Sequence, residues 1–194
     1  MKKNFKTHDL VISALLIAIG ILIPMIFTGP PFRIIVGPYT ATIMAHVPVI
    51  IAMFISPQTA VFTAVGTTIG FFFTAPVIVA VRAASHIVFA IVGSYCIKKG
   101  MTAIPLCGVT GLIHAFLEGA VVLIFFVGGL STPSSGYSIT MMVIITCAGT
   151  LVHHIIDFII SYAVGGALHK AKLMPKLPPL AKKIKLIKGE NQNE

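Results

Sequence analysis

The sequence alternates long apolar runs with short stretches of Gly, Pro and polar residues, and those runs are too long and too apolar for a water-soluble fold. In hydrocarbon every backbone N–H and C=O must be satisfied internally, so runs of this length are read as transmembrane helices. Composition agrees: 57% of residues are hydrophobic, 10% are charged, and mean hydropathy is +1.01, the balance of a chain whose solvent is lipid. Six spans are expected, roughly over 9–27, 39–55, 58–74, 76–97, 102–128 and 138–168. The first covers about 28 Å at about 1.5 Å per residue, enough for a bilayer core. The basic start "MKKNFKTHD" resembles a signal peptide, but the following run is long enough to span and its small-residue sites lie inside it, so a retained first helix is expected. The expected fold class is an all-α membrane protein of six transmembrane helices.

Lysine and arginine set the orientation. Lys2, Lys3 and Lys6 precede the first span, Lys98 and Lys99 join the fourth to the fifth, and seven lysines from Lys170 to Lys188 follow the sixth. These are twelve of the fourteen basic residues, all on one side of a six-span layout, so both termini are expected in the cytoplasm. The chain then divides into a transmembrane domain over 1–169 and a basic cytoplasmic tail over 170–194. The net charge of +9 follows from the same rule, and the tail suits anionic lipid headgroups. No folded basic face for nucleic acid is visible. Cys96, Cys107 and Cys147 are isolated, without a CxxC pair, and suggest neither a disulfide framework nor a zinc site. The chain has no P-loop, so active transport would draw on an ion or a partner subunit.

Few ionisable residues lie inside the spans: His46 in the second, Arg82 and His86 in the fourth, His114 and Glu118 in the fifth, and His153, His154 and Asp157 in the sixth. Arg82/His86, His114/Glu118 and His153/Asp157 are i,i+4 pairs, each on one helix face. An intramembrane arginine is expensive and marks a functional site by default. Its planar cationic fork suits a carboxylate or phosphate. Counting depth from the span ends, Arg82, His86, His114 and Glu118 converge in an outer-leaflet cavity, with His46 in the outer half and Asp157 set deeper. A buried Arg82–Glu118 salt bridge that only orients helices is the plainer alternative, and interhelical hydrogen bonding is the plainer role for each histidine. "HH" followed by Asp157 offers ligand types at helical spacing but lacks HExxH and the other zinc signatures, so no metal site is expected. Nor is there a nucleophile motif, and no enzyme activity is expected. On the first span, Ala14-x-x-x-Ala18 makes a groove for close approach by another helix, of this chain or of another protein.

The size, the six spans, the cytoplasmic termini and Ala14-x-x-x-Ala18 together resemble the substrate-binding S component of an energy-coupling factor (ECF) vitamin transporter, over residues 8–169. Within that family, "GPYTATIMAHVPVIIAMFISP" (37–57), "VGTTIGFFF" (65–73) and "VRAASHIVFAIVG" (81–93) look most like the niacin-type branch. The chain departs from the cobalt and nickel branch, where an N-terminal Met-His holds the metal; Lys2 stands here instead. The resemblance implies a multi-pass cell-membrane protein that binds a vitamin in its outer half and docks on a transmembrane coupling subunit, itself joined to two ATPases, through Ala14 and Ala18. Arg82, His86, His114, Glu118 and His46 are then the expected substrate-binding residues. Arg33, in the loop "TGPPFRIIVGP", would steer anions inward. Niacin's carboxylate suits Arg82 and its ring nitrogen suits a histidine donor; pantothenate fits the same logic. A stand-alone proton-coupled transporter using Glu118, Asp157 and the histidines as a relay, and a scaffold that binds no small molecule, are the readings from other classes.

Overall fold

The computed structural model describes residues 7–36, 39–130 and 136–181. Lys2, Lys3, Lys6, the lysines from Lys182 onward, Gly37 and Pro38 of the first loop, and positions 131–135 lie outside the described residues. The order is α1 (Thr7–Ile26), a hairpin of β1 (Arg33–Val36) and β2 (Tyr39–Thr42), α2 (Val47–Ile55), α3 (Pro57–Thr74), α4 (Val77–Ala83), α5 (Ser85–Lys98), α6 (Ala103–Val127) and α7 (Ile139–Lys170). Among the described residues, four helices are long and apolar enough to cross a membrane: α1, α4 and α5 taken together as Val77–Lys98, α6 and α7. The 18 residues of α3 include five threonines. Three of these, Thr67, Thr68 and Thr74, return their hydroxyls to carbonyls of their own helix, which hides their polarity.

The segment 39–55, expected as one helix, is the largest departure. Tyr39–Thr42 pairs antiparallel with β1, from Arg33 opposite Thr42 to Val36 opposite Tyr39. Only the nine residues Val47–Ile55 are helical, about 13 Å of rise and too short to span alone. Eight of the nine are buried. A helix apolar on every side belongs inside a bundle, and α2 accordingly supplies Val49, Ile50, Met53 and Phe54 to a core shared with Ala60, Ala64, Phe89, Leu106 and Phe158. Apolar periodicity alone does not separate a buried helix from a spanning one.

The turn entering α2 is held from a distant helix. Met44 has φ 73°, and His46, the residue before α2, makes no side-chain cap. Instead Asp157 of α7 accepts the Met44 N–H at 2.7 Å and the His46 N–H at 3.0 Å through its two carboxylate oxygens. A negative group at a helix N-terminus satisfies orphan donors and complements the helix dipole. Beside it, the Tyr39 ring lies on the bare backbone at Gly149, where a Cβ would collide with it.

A second local feature separates α4 from α5. The Ile87 N–H bonds to Ala84 O at 3.2 Å, a tightened i→i−3 turn that leaves the carbonyl of Ala83 without its usual helical donor. The Thr68 hydroxyl of α3, 2.8 Å from Ala64 O, also lies 3.1 Å from that carbonyl and shares its single proton between the two. Arg82 and His86 flank this break. At the other end of the molecule, the segment after α7 turns back. Pro179 and Leu180 accept the N–H groups of Ala103 and Ile104 at 2.8 and 3.2 Å, and Tyr162 donates to Pro178 at 2.8 Å. Orphan donors at the start of α6 are thereby satisfied. On α1, Ser13 and Gly20 are buried, while Ala14 and Ala18 lie on the exposed face. Gly66 and Gly70 of α3 sit so close to Ile17 and Ile21 of α1 that a Cβ at either would collide with it.

If Asp157 holds the entry to α2, Asp157→Ala should lower unfolding stability by about 3–5 kcal/mol, the cost of stripping one side from a buried charged contact. Asp157→Asn, which keeps acceptor capacity, should lose less. Thermal unfolding in detergent reads both, and an unchanged midpoint for Asp157→Ala would show that the turn is held by other means.

Candidate functional site

A cavity of about 110 Å³ opens between the hairpin, the entry to α2, and helices α4 to α7. Arg33, His46, Arg82, His86, Glu118 and His153 line it, with Phe71 and Val79 among its apolar walls. This is space for several waters or for one small ring.

Arg82 and Glu118 form the charged pair at its centre, 6% and 5% exposed. Arg82 donates from Nη2 at 2.6 Å and from Nε at 3.2 Å, both to Oε2 of Glu118. Thr150 of α7 donates its hydroxyl to the same oxygen. The guanidinium lies 5.3 Å from the centroid of the Tyr39 ring, a cation–π distance, and Nη2 also reaches the carbonyl of Thr40 at 3.5 Å. Nη1 makes no hydrogen bond among the described residues. A guanidinium held along one edge keeps donors for an anion. Glu118 Oε1 is 3.4 Å from His114 Nε2, one turn away on α6.

Five imidazoles gather behind this pair. His46 stacks edge-on against His86 and against His114, each at 4.6 Å between ring centroids, and lies 4.4 Å from His153. His46 Nδ1 and His153 Nε2 lie 3.2 and 3.1 Å from Asp157 Oδ2. His114 Nδ1 meets His154 Nδ1 at 3.2 Å, and His154 Nε2 meets the Thr110 hydroxyl at 3.0 Å. Phe89 closes the cluster, 4.9 Å from His114 and 5.1 Å from His154.

Of the residues singled out by sequence, Arg82, His86, Glu118, His46 and Arg33 line the cavity. His114 is fully buried just behind it. Ala14 and Ala18 lie away from it on α1. The structure also joins residues that the depth count set apart. Asp157 contacts His46 because the hairpin carries His46 to the head of a short helix rather than into the middle of a long one. Tyr39, Thr40 and Thr150 were not anticipated. Thr150 had a signal: Thr146, Thr150, His153, His154, Asp157 and Ser161 form a buried polar stripe along α7, spaced as one helix face.

No family model matches the chain and no solved structure matches it. The niacin transporter NiaX of Lactococcus lactis subsp. cremoris (strain MG1363) is 38% identical over 177 residues, covering 87% of this chain and 78% of that protein. Identity of this extent over most of both chains shows the family, and the chain therefore belongs to the family of NiaX, the niacin-type S components of membrane transport.

Proposed function

We propose that this chain is the membrane-embedded vitamin-binding S component of an ECF-type, ATP-dependent importer, and that its substrate is niacin. The observation that carries the reading is the cavity wall. Arg82 is anchored on Glu118 by two donors and keeps Nη1 for a carboxylate, while imidazoles of His46 and His86 stand on the same cavity to meet a ring nitrogen. Niacin presents those two groups on one flat ring, and the relative's name agrees. Arg33 at the hairpin supplies a second positive charge at the cavity.

Six membrane passages with cytoplasmic termini fit this role, with α2 and α3 completing the bundle beside the four long apolar helices. Lys98 and Lys99 precede α6, whose first residues are bonded to the segment following Lys170, so these basic residues gather at one end as the positive-inside rule requires. The sequence carries no nucleotide-binding motif, and the energy then comes from two ATPase subunits through a transmembrane coupling subunit. Ala14 and Ala18, exposed on α1, offer that subunit a close helix contact.

Two experiments test the assignment. Arg82→Ala should weaken nicotinate binding by roughly 2–5 kcal/mol, about thirtyfold to several thousandfold. Because this variant also orphans Glu118, the doubly neutral Arg82→Met/Glu118→Gln variant is measured beside it. Nicotinamide, which has no carboxylate, should bind the parent weakly and lose little in the double variant. Calorimetry of both ligands decides, and parallel losses would make Arg82 purely structural.

The second experiment concerns coupling. Ala14→Trp or Ala18→Trp should abolish assembly with the coupling subunit while leaving nicotinate affinity within about twofold, because added bulk separates helices at a small-residue contact. In proteoliposomes, concentrative uptake should appear only with the complete energising module. Uptake driven by a proton gradient without that module would overturn the ECF assignment.

A further inference from the structure

His46, His86 and His114 come from three different elements, and one ring nitrogen of each lies within 4.8 Å of the other two. Their sequence spacing forms no motif, so only the fold reveals the set. The rings meet at 87°, 89° and 83°, with centroids 4.6, 4.6 and 5.1 Å apart. Three imidazoles on one tetrahedral ion, with metal–nitrogen bonds of about 2.0–2.1 Å, place their centroids about 5 Å apart.

Hydrogen-bond order indicates which nitrogens carry lone pairs. Thr110 donates its hydroxyl to Leu106 O at 2.8 Å, so His154 Nε2 must donate to Thr110. His154 Nδ1 is then the acceptor for His114 Nδ1–H, which leaves His114 Nε2 bare. That bare nitrogen faces the carboxylate oxygen Oε1 of Glu118 at 3.4 Å and has no hydrogen-bond partner. Two electron-rich atoms facing each other in a dry interior repel, and a proton or a metal ion on Nε2 relieves the contact, since Arg82 engages the other carboxylate oxygen. His46 Nδ1 lies 3.2 Å from Asp157 Oδ2 without the alignment of a hydrogen bond; that proximity favours the proton on Nδ1 and the lone pair on Nε2, and a carboxylate beside a ligating histidine is the usual outer support of such sites. His86 Nδ1, buried, has no partner. The neighbouring set of His46, His153 and Asp157 is less suitable, because both oxygens of Asp157 already accept backbone N–H groups.

We propose that His46, His86 and His114 hold a single divalent transition-metal ion, and that its open coordination position takes the ring nitrogen of the substrate while Arg82 takes the carboxylate. This rests on the niacin reading. Imidazole ligands select zinc, nickel, cobalt or copper over calcium and magnesium, which demand oxygen. Three histidines leave a fourth position open, and His46 and His86 both line the cavity. Arg82 and His86 flank the break between α4 and α5 and line the same cavity.

The test uses the full chain in detergent, stripped by a chelator. Zinc chloride in equilibrium dialysis should load one ion per chain, and His86→Ala should weaken that loading at least about a hundredfold, more than the loss of an outer support would. Cobalt chloride should give the intense visible bands of a four-coordinate centre. Nicotinate should shift those bands, whereas benzoate, with the same carboxylate and no ring nitrogen, should not. Nicotinate affinity should fall at least tenfold on stripping and return with zinc, while benzoate affinity stays the same. The cobalt bands are read on the parent protein, so the conclusion survives if His86→Ala fails to fold. Stripped protein that binds nicotinate as tightly as loaded protein, or fails to take up zinc, would overturn the metal site and leave the niacin reading standing. Zinc loading with no nicotinate binding in either state would overturn the niacin reading, and with it the coordination by substrate.

Discussion

A carboxylate in a dry interior must have its oxygens engaged, and the two carboxylates buried among the described residues organise most of what surrounds them. Asp157 gathers two backbone N–H groups from the turn before α2 and stands against the imidazoles of His46 and His153. Glu118 gathers the Arg82 fork and the Thr150 hydroxyl. Leaving either group bare would cost several kcal/mol, and each therefore fixes the elements that serve it. Through Asp157, α7 sets where the hairpin ends and α2 begins. Through Glu118, α6 sets the angle at which the guanidinium enters the cavity. The apolar core of α2, α5 and α6 fills space around these contacts but is not directional enough to specify them.

The same two centres divide the work of the cavity. Arg82 and Glu118 together carry no net charge, so the resting site avoids the cost of an isolated buried cation, while Nη1 has no partner among the described residues. The histidines form a chain of contacts reaching from Thr110 to Asp157. The near-perpendicular packing of His46, His86 and His114, with Phe89 against His114 and His154, restricts rotation of the rings. A flat heteroaromatic acid entering such a space meets fixed partners at both ends, which is how small polar sites obtain orientation without large contact area.

Much of this was legible in the sequence, for physical reasons. Apolar runs with few charges can satisfy their backbones only as helices, and α1, α5, α6 and α7 follow. An arginine inside such a run must have a reason, and Arg82 does stand on a cavity. The run at 39–55 was misread because it is equally apolar whether it spans or is enclosed. What distinguishes the two is Asp157, more than a hundred residues further on, and nothing local in "YTATIMAHVPV" announces it. His46 reaches the cavity as expected, but from the head of a short helix rather than from within a continuous span. The gathering of histidines at 46, 86 and 114 has no spacing to read, because three separate elements bring them together.

The hairpin-to-helix turn has a consequence for how the protein is made. A chain inserted into the membrane as it is synthesised emerges from its N-terminus, so residues 39–55 arrive well before their acceptor, whose bonds to Met44 and His46 span 113 and 111 positions. Until α7 enters, the N–H groups at the head of α2 have no carboxylate to receive them. Arg82, likewise, precedes Glu118 by 36 positions. Water, lipid headgroups or the insertion machinery must serve these groups in the interval. The cavity thus takes its shape only once α7 is in place, and a chain truncated before α7 would present its arginine and histidines to the bilayer without the partners that make them tolerable there.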